Sequence, residues 1–506
     1  MAHANVCAID DVPAATILFP FVVFDYDAYG AGINGQDTIF SITNLSAQAQ
    51  VVHVTIWTDF GAAILDFNVL LTGYDVISMN TSTILGGGQL PVTRNEGHGT
   101  PPAPSKDEGR NTPPPPPWTG EGVIANGPVS YTNSVLNGQW LNPGMDEPEA
   151  TNALAAGRCD PDNQHYPGLY WVPIPQVFLD LFQSYLQVSQ TVDRLHSDDC
   201  TQPYSQTYHL PPTPFWAERD ASYPTWMYIT ADVVERCDDL DPTEVEYYQD
   251  QIRDDNVLLG DVFWVSEDER FSEASNALHL EASAHLDTVG TMTSAGDPVS
   301  FYHRYSVLQG QSSDSREPLP TAWAFRYLGA GVPNMGTDIR LWKGSTLFAD
   351  TSDLERVGDL WFSPDELVAS NCHAYTYYAW DEDEMVTTAV GWWHPVYPQL
   401  RFAPNLAPLA TQEIPVDQFE TPGAFGWMLF VWPASNYPAG SATPVPDDWY
   451  QTWMGVRYNA YGQWSAARDA WVTANFNCFS DQILPDLGTD YEYVDSDGYV
   501  TSPLVP

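Results

Sequence analysis

The sequence predicts a mainly β protein: an N-terminal antiparallel β-sandwich, then a larger β-sandwich-like region that carries a small helical insertion. Three observations predict it. Short runs rich in β-branched and aromatic residues recur along the chain, set apart by Gly, Asn, Asp, Ser and Pro. Within several of them one side chain in two is apolar, as a period of two requires. With 506 residues, 43% of them hydrophobic and 13% aromatic, the chain has core enough for several domains and is too apolar for an acidic disordered tail.

The clearest runs come first. Thr16–Phe24, Thr38–Thr43, Val51–Trp57, Leu65–Leu71 and Tyr74–Met79 read as short antiparallel strands of a sandwich over residues 1–85. In the third run Val52, Val54 and Ile56 share one face, and His53, Thr55 and Trp57 the other. Residues 86–118 begin at Gly86-Gly-Gly88 and hold the five prolines Pro113–Pro117, a semi-rigid spacer of polyproline geometry. Residues 119–255 are turn-rich, with strand-like pieces at Val129–Val135 and Leu169–Pro173. Two helices are predicted there. In Pro175–Val192 apolar residues recur every three or four positions, and in Pro242–Arg253 Asp241 is placed as N-cap. Over 256–480 the strand-like runs are Val257–Val265, Leu278–Ala284, Phe301–Val307, Ala322–Leu328, Asp338–Lys343, Met385–Trp392, Trp427–Trp432 and Gly455–Asn459. Residues 481–506 form a polar, aromatic extended tail. No fixed-period repeat signals a solenoid or propeller.

Charge excludes several partners. Sixty-six acidic residues against 18 basic give a net charge of −48. Such a chain repels the phosphate backbone of nucleic acid and anionic membrane, and attracts cations. No apolar run is long enough for a transmembrane helix. The six cysteines, Cys7, Cys159, Cys200, Cys237, Cys372 and Cys478, include no Cys-x-x-Cys pair. An even, scattered set fits structural disulfides in an oxidising compartment, with Cys159 and Cys200 the first pairing to expect because they flank one predicted helix. Ala2-His3-Ala4 has the small-x-small form of a signal-peptidase site, which adds to the expectation of a secreted or cell-surface protein.

Several stretches resemble parts of large, uncharacterised, secreted bacterial β-rich proteins. They include Leu65-Asp-Phe-Asn-Val69, Asn256-Val-Leu-Leu-Gly-Asp-Val-Phe263, Phe301-Tyr-His-Arg-Tyr305, Gly336-Thr-Asp-Ile-Arg-Leu-Trp342 and Gly455-Val-Arg-Tyr458. The resemblance implies export and one shared architecture. It brings no catalytic residues with it.

Candidate chemistry is sparse. If Leu278–His285 is a strand, His279, Glu281, Ser283 and His285 project from one face, where a His and a carboxylate could serve as base and orienter or hold a metal. A solvated polar face of a half-buried strand has the same pattern. Metalloprotease, nucleophile-elbow and P-loop motifs are absent. Asp495-Ser-Asp-Gly498 sets the carboxylates of Asp495 and Asp497 on alternate residues before a glycine turn, part of a calcium loop without its closing Glu. Trp392, Trp453 and Trp464 could stack on sugar rings, or pack in the core. These readings converge on an extracellular, non-enzymatic structural or surface protein that self-assembles through extended termini, with calcium as the possible cation. The alternative is a secreted polysaccharide-acting hydrolase or a carbohydrate-binding protein, with glycans as partners.

Overall fold

The computed structural model describes most of residues 12–88, 225–235, 247–282, 314–344, 375–391, 410–432 and 451–472, with short pieces at 131–132 and 300–302. They form a mainly β fold of several antiparallel sheets.

The first strands are β1 (Thr16–Phe24), β2 (Gln36–Asn44), β3 (Gln50–Thr58), β4 (Ala63–Leu71) and β5 (Val76–Asn80), with the short helix α1 (Tyr26–Gly30) between β1 and β2. They do not close on one another alone. Further along come β6 (Tyr131–Thr132), β7 (Thr225–Val234), β8 (Leu258–Ser266), β9 (Phe271–Asn276) and β10 (Leu278–Leu280). One sheet runs β10-β1-β7-β3-β4-β6 and the other β5-β2-β8-β9. The boundary drawn at residue 85 therefore does not fall between sheets: β1 has both of its neighbours beyond residue 224. All nine residues of β1 and of β3 are buried, because both faces of this sheet are covered.

Two local features let the sheets meet. β1 and β7 lose register between Phe19 and Val22, at Pro20, which has no N–H to give a ladder and so sits at an irregularity. Gly260 in β8 faces β1 so closely that a Cβ there would lie 2.6 Å from Ile17 Cγ2. A glycine is what that approach requires.

The second region holds β11 (Ala322–Leu328), β12 (Gly336–Lys343), β13 (Tyr375–Asp381), β14 (Val386–Gly391), β15 (Thr411–Pro415), β16 (Phe425–Val431), β17 (Thr452–Ala460), β18 (Trp464–Asp469) and β19 (Trp471–Val472). They build the sheets β14-β13-β16-β11-β19 and β15-β12-β17-β18. Between the two lies an aromatic core centred on Phe430, whose ring is 5.3–5.8 Å from Phe325, Tyr375, Tyr377, Phe419 and Trp432. The regions also touch. Thr411 donates to the Pro20 carbonyl at 2.8 Å, and the Ala410 and Thr411 amides donate to Asp59 O.

Other expectations need correction. The predicted strand Leu278–Ala284 is only Leu278–Leu280, and Ala282 makes an isolated bridge to Arg316. Phe301 and Tyr302, expected to open a strand, lie in a turn. The predicted helix Pro242–Arg253 is described only as a π-helical turn, Tyr247–Gln251, followed at Ile252 by a bridge to Val234. The Pro-rich spacer and the tail lie outside the described residues, as does nearly all of Pro175–Val192.

Candidate functional site

The polar groups of β1, β3, β4 and β7 fall into rows. Strand register places Thr16 beside Asp232, Asp232 beside His53 and His53 beside Asn68. The next row holds Thr230, Thr55 and Asp66. This is the face that carries His53, Thr55 and Trp57. It is not solvated: His53, Thr55, Asp232 and Thr16 are all fully buried.

What covers it is a second polar layer. Tyr247 and Tyr302 each donate a hydroxyl to Asp232 Oδ2 at 2.8 Å, and Thr16 donates to Oδ1. The buried Arg316 guanidinium donates to Thr16 Oγ1 at 2.9 Å and to Asp254 at 3.0 Å, and lies 3.9 Å from Asp314. Asp314 in turn accepts from the Tyr302 and Arg316 amides. The charged groups of this hub are bonded to one another and to neighbouring hydroxyls and amides, as buried charges need.

Electrostatics follow from that closure. Burial, then the Asp232 charge, holds the Tyr247 and Tyr302 hydroxyls well above the usual phenol range. Burial raises Asp314 to about 6 despite the neighbouring Arg316. Burial alone would pull Arg316 down, but Asp254, Asp314 and Asp232 outweigh it and hold it up. A Tyr, Asp and Arg set could move protons if a substrate reached it. Here the same groups tie β1 to segments 216 and 300 residues away.

A second cluster joins the regions. Glu273 of β9 pairs with Arg340 of β12 and Arg457 of β17, each at 2.9 Å. Glu413 of β15 pairs with the same two arginines at 2.8 and 3.3 Å. The Arg340 guanidinium also lies over the Trp264 and Phe21 rings, 4.2 and 4.9 Å from their centroids. Asp338, raised to about 6 by burial and then by Glu413, completes the group.

The sequence-predicted residues are dispersed. His279 is buried against β8, where its Nε2 accepts the Gly260 amide at 3.1 Å. Glu281 lies past the end of β10, so the two do not share a strand face. His285, Asp495, Asp497 and all six cysteines (Cys7, Cys159, Cys200, Cys237, Cys372, Cys478) lie outside the described residues. Trp453 is a core residue, 2% exposed. Among the described residues no three His, Cys, Asp or Glu side chains gather into a metal-holding group, and no helix is long and apolar enough to cross a membrane.

Sequence reasoning missed another surface. On the outward face of β13-β16-β11, register aligns Trp380, Trp427 and Arg326 in one row and Tyr378, Leu429 and Ala324 in the next, with Phe425 opposite Leu328. Phe425 is 44% and Trp427 39% exposed. The signal was strand parity: with Met428 and Phe430 inward, Trp427 must point out.

Comparison with protein-family models, characterised proteins and solved structures finds no match to this chain, so no family is assigned to it.

Proposed function

We propose that the protein is a non-enzymatic extracellular structural or surface component that assembles with copies of itself through its extended termini. One observation carries the non-enzymatic part: the hub around Asp232 is bonded inward. Thr16, Tyr247, Tyr302 and Arg316 are each at most 2% exposed and are held by one another, the arrangement of a clasp between distant parts of a chain. The Glu273–Arg340–Arg457–Glu413 cluster acts alike between the two regions. Both favour a body that keeps its shape under load over one that opens to a substrate.

Self-assembly rests on the sequence of the termini, which can add a strand to an open sheet edge. The test compares the full chain with a variant lacking residues 482–506, by light scattering and negative-stain microscopy, with and without millimolar calcium. Large regular particles from the full chain, lost on deletion, are expected. A monomer in both conditions refutes assembly.

A further inference from the structure

We infer that the outward face of the β13-β16-β11 sheet is a binding platform for a neutral polysaccharide. The face has the chemistry for it. Tyr378 and Trp380, alternate residues of β13, stack with ring centroids 5.9 Å apart. Trp380 lies opposite Trp427, and the Arg326 guanidinium sits 4.9 Å from the Trp427 ring centroid. Aromatic rings offer their π faces to the C–H faces of pyranose rings, and an exposed guanidinium offers N–H donors to hydroxyl oxygens. Behind the platform the strand is fixed: Tyr458 donates to the Arg326 carbonyl at 2.8 Å. Gly426 is locked too, since a Cβ there would lie 1.7 Å from Trp380 O. Large aromatics held in the open on a rigid sheet mark an interaction surface.

Size and charge choose the occupant. A fully buried aromatic side chain covers about 150–250 Å². At 44% and 39% exposure Phe425 and Trp427 offer about 60–110 Å² each on that scale. With half-buried Tyr378, Trp380, Leu328 and Leu429 the platform stays below about 500 Å², short of the ~800 Å² per partner of a stable protein interface. The chain's net charge of −48 also surrounds this face with a negative field. The same field turns away acidic glycans, nucleic acid and anionic lipid. A thin, uncharged chain that stacks on three or four rings remains.

This inference rests on the non-enzymatic reading only in treating the glycan as bound and not cut. Full-length protein is tested for retention on cellulose, chitin and xylan, with polygalacturonate as the acidic control, and reducing ends are counted in the same samples. Retention on at least one neutral glycan is expected, with none on polygalacturonate. Trp427→Ala should weaken retention about tenfold or more, the usual scale for truncating an aromatic anchor. Trp427→Phe should bind in between, and both variants should keep the wild-type thermal transition because the side chain is exposed. Wild type retained by no neutral glycan, or Trp427→Ala binding as well as wild type, overturns the inference. So does a concentration-dependent dimer abolished by Trp427→Ala in place of glycan retention. New reducing ends with retention intact would instead overturn the non-enzymatic reading and leave the platform standing.

Discussion

Asp232→Ala is expected to destabilise the first sandwich by about 3–5 kcal/mol. The carboxylate accepts hydroxyls from Thr16, Tyr247 and Tyr302 and is fully buried. A hydrogen bond to a charged group contributes about 1.5–3 kcal/mol net, so three would sum to roughly 4.5–9 kcal/mol. The sum overstates the loss, because Arg316 keeps Asp254 at 3.0 Å and Asp314 nearby. Breaking a buried ionic cluster by deleting one member costs about 3–5 kcal/mol, and that is the figure adopted. Asp232→Asn keeps the shape and one acceptor oxygen and should cost about 1–3 kcal/mol, the penalty of one mismatched buried group. Urea unfolding followed by tryptophan emission measures this, using the midpoint of the first transition since two regions need not unfold together. Combining Tyr247→Phe with Asp232→Ala should be clearly less than additive. An Asp232→Ala midpoint within about 0.5 kcal/mol of wild type, the scatter of ordinary surface changes, would refute the clasp.

Four further outcomes are expected. Glu273→Ala, which leaves Arg340 and Arg457 to share Glu413, should cost about 3 kcal/mol, the low end for breaking a buried ion pair, and split calorimetric unfolding into two transitions; a single unchanged transition counts against the cluster as the junction. Gly260→Ala should cost about 1–3 kcal/mol through overpacking against Ile17, seen as an earlier urea midpoint. Asp314 and Asp338 sit near 6 when folded against an ordinary 3.8, so the folded state holds more protons between those values. Their contribution to stability is full below about pH 4 and is lost as pH rises through 6. A melting temperature that rises on acidification from pH 7 to 5, less steeply in Asp338→Asn, would bear this out, and a monotonic fall would contradict it. Lys343 runs the other way: burial lowers it to about 7 from 10.5, so stability should grow with pH across that interval. Lys343→Met should flatten that alkaline slope, and an identical slope in wild type and variant would exclude the assignment.

Much of the fold was legible because strand physics is local. Ala322–Leu328 was read with the bounds it has, and the four runs from Thr16 to Leu71 all became strands, extended by no more than two residues at an end. Thr225–Val234 was missed, although Thr-Trp-Met-Tyr-Ile-Thr-Ala-Asp-Val-Val is an ordinary strand run, because it sits among turn-rich neighbours. Asp232 was the clue left unread. A lone carboxylate in an apolar run is either at an edge or held by partners, and its partners lie 15, 70 and 216 residues away. No local pattern encodes such separations. His279 was misread for a related reason: alternation gives a side chain's parity, but not whether another sheet covers it.

The sheet order β10-β1-β7 has a consequence during synthesis. A nascent chain that has reached residue 85 holds β1 with neither neighbour made, and must wait for almost two hundred further residues (to Leu280) before both edges of Thr16–Phe24 can be covered. Such non-local pairing makes folding slow and leaves an apolar segment open to capture by other unfinished chains. Pro20, which breaks the register in the finished sheet, interrupts that segment where an aggregate would otherwise zip along it. Chains truncated before residue 280 should therefore collect as insoluble material, and replacing Pro20 should make that fate more common. The first strand to be made is among the last to be secured.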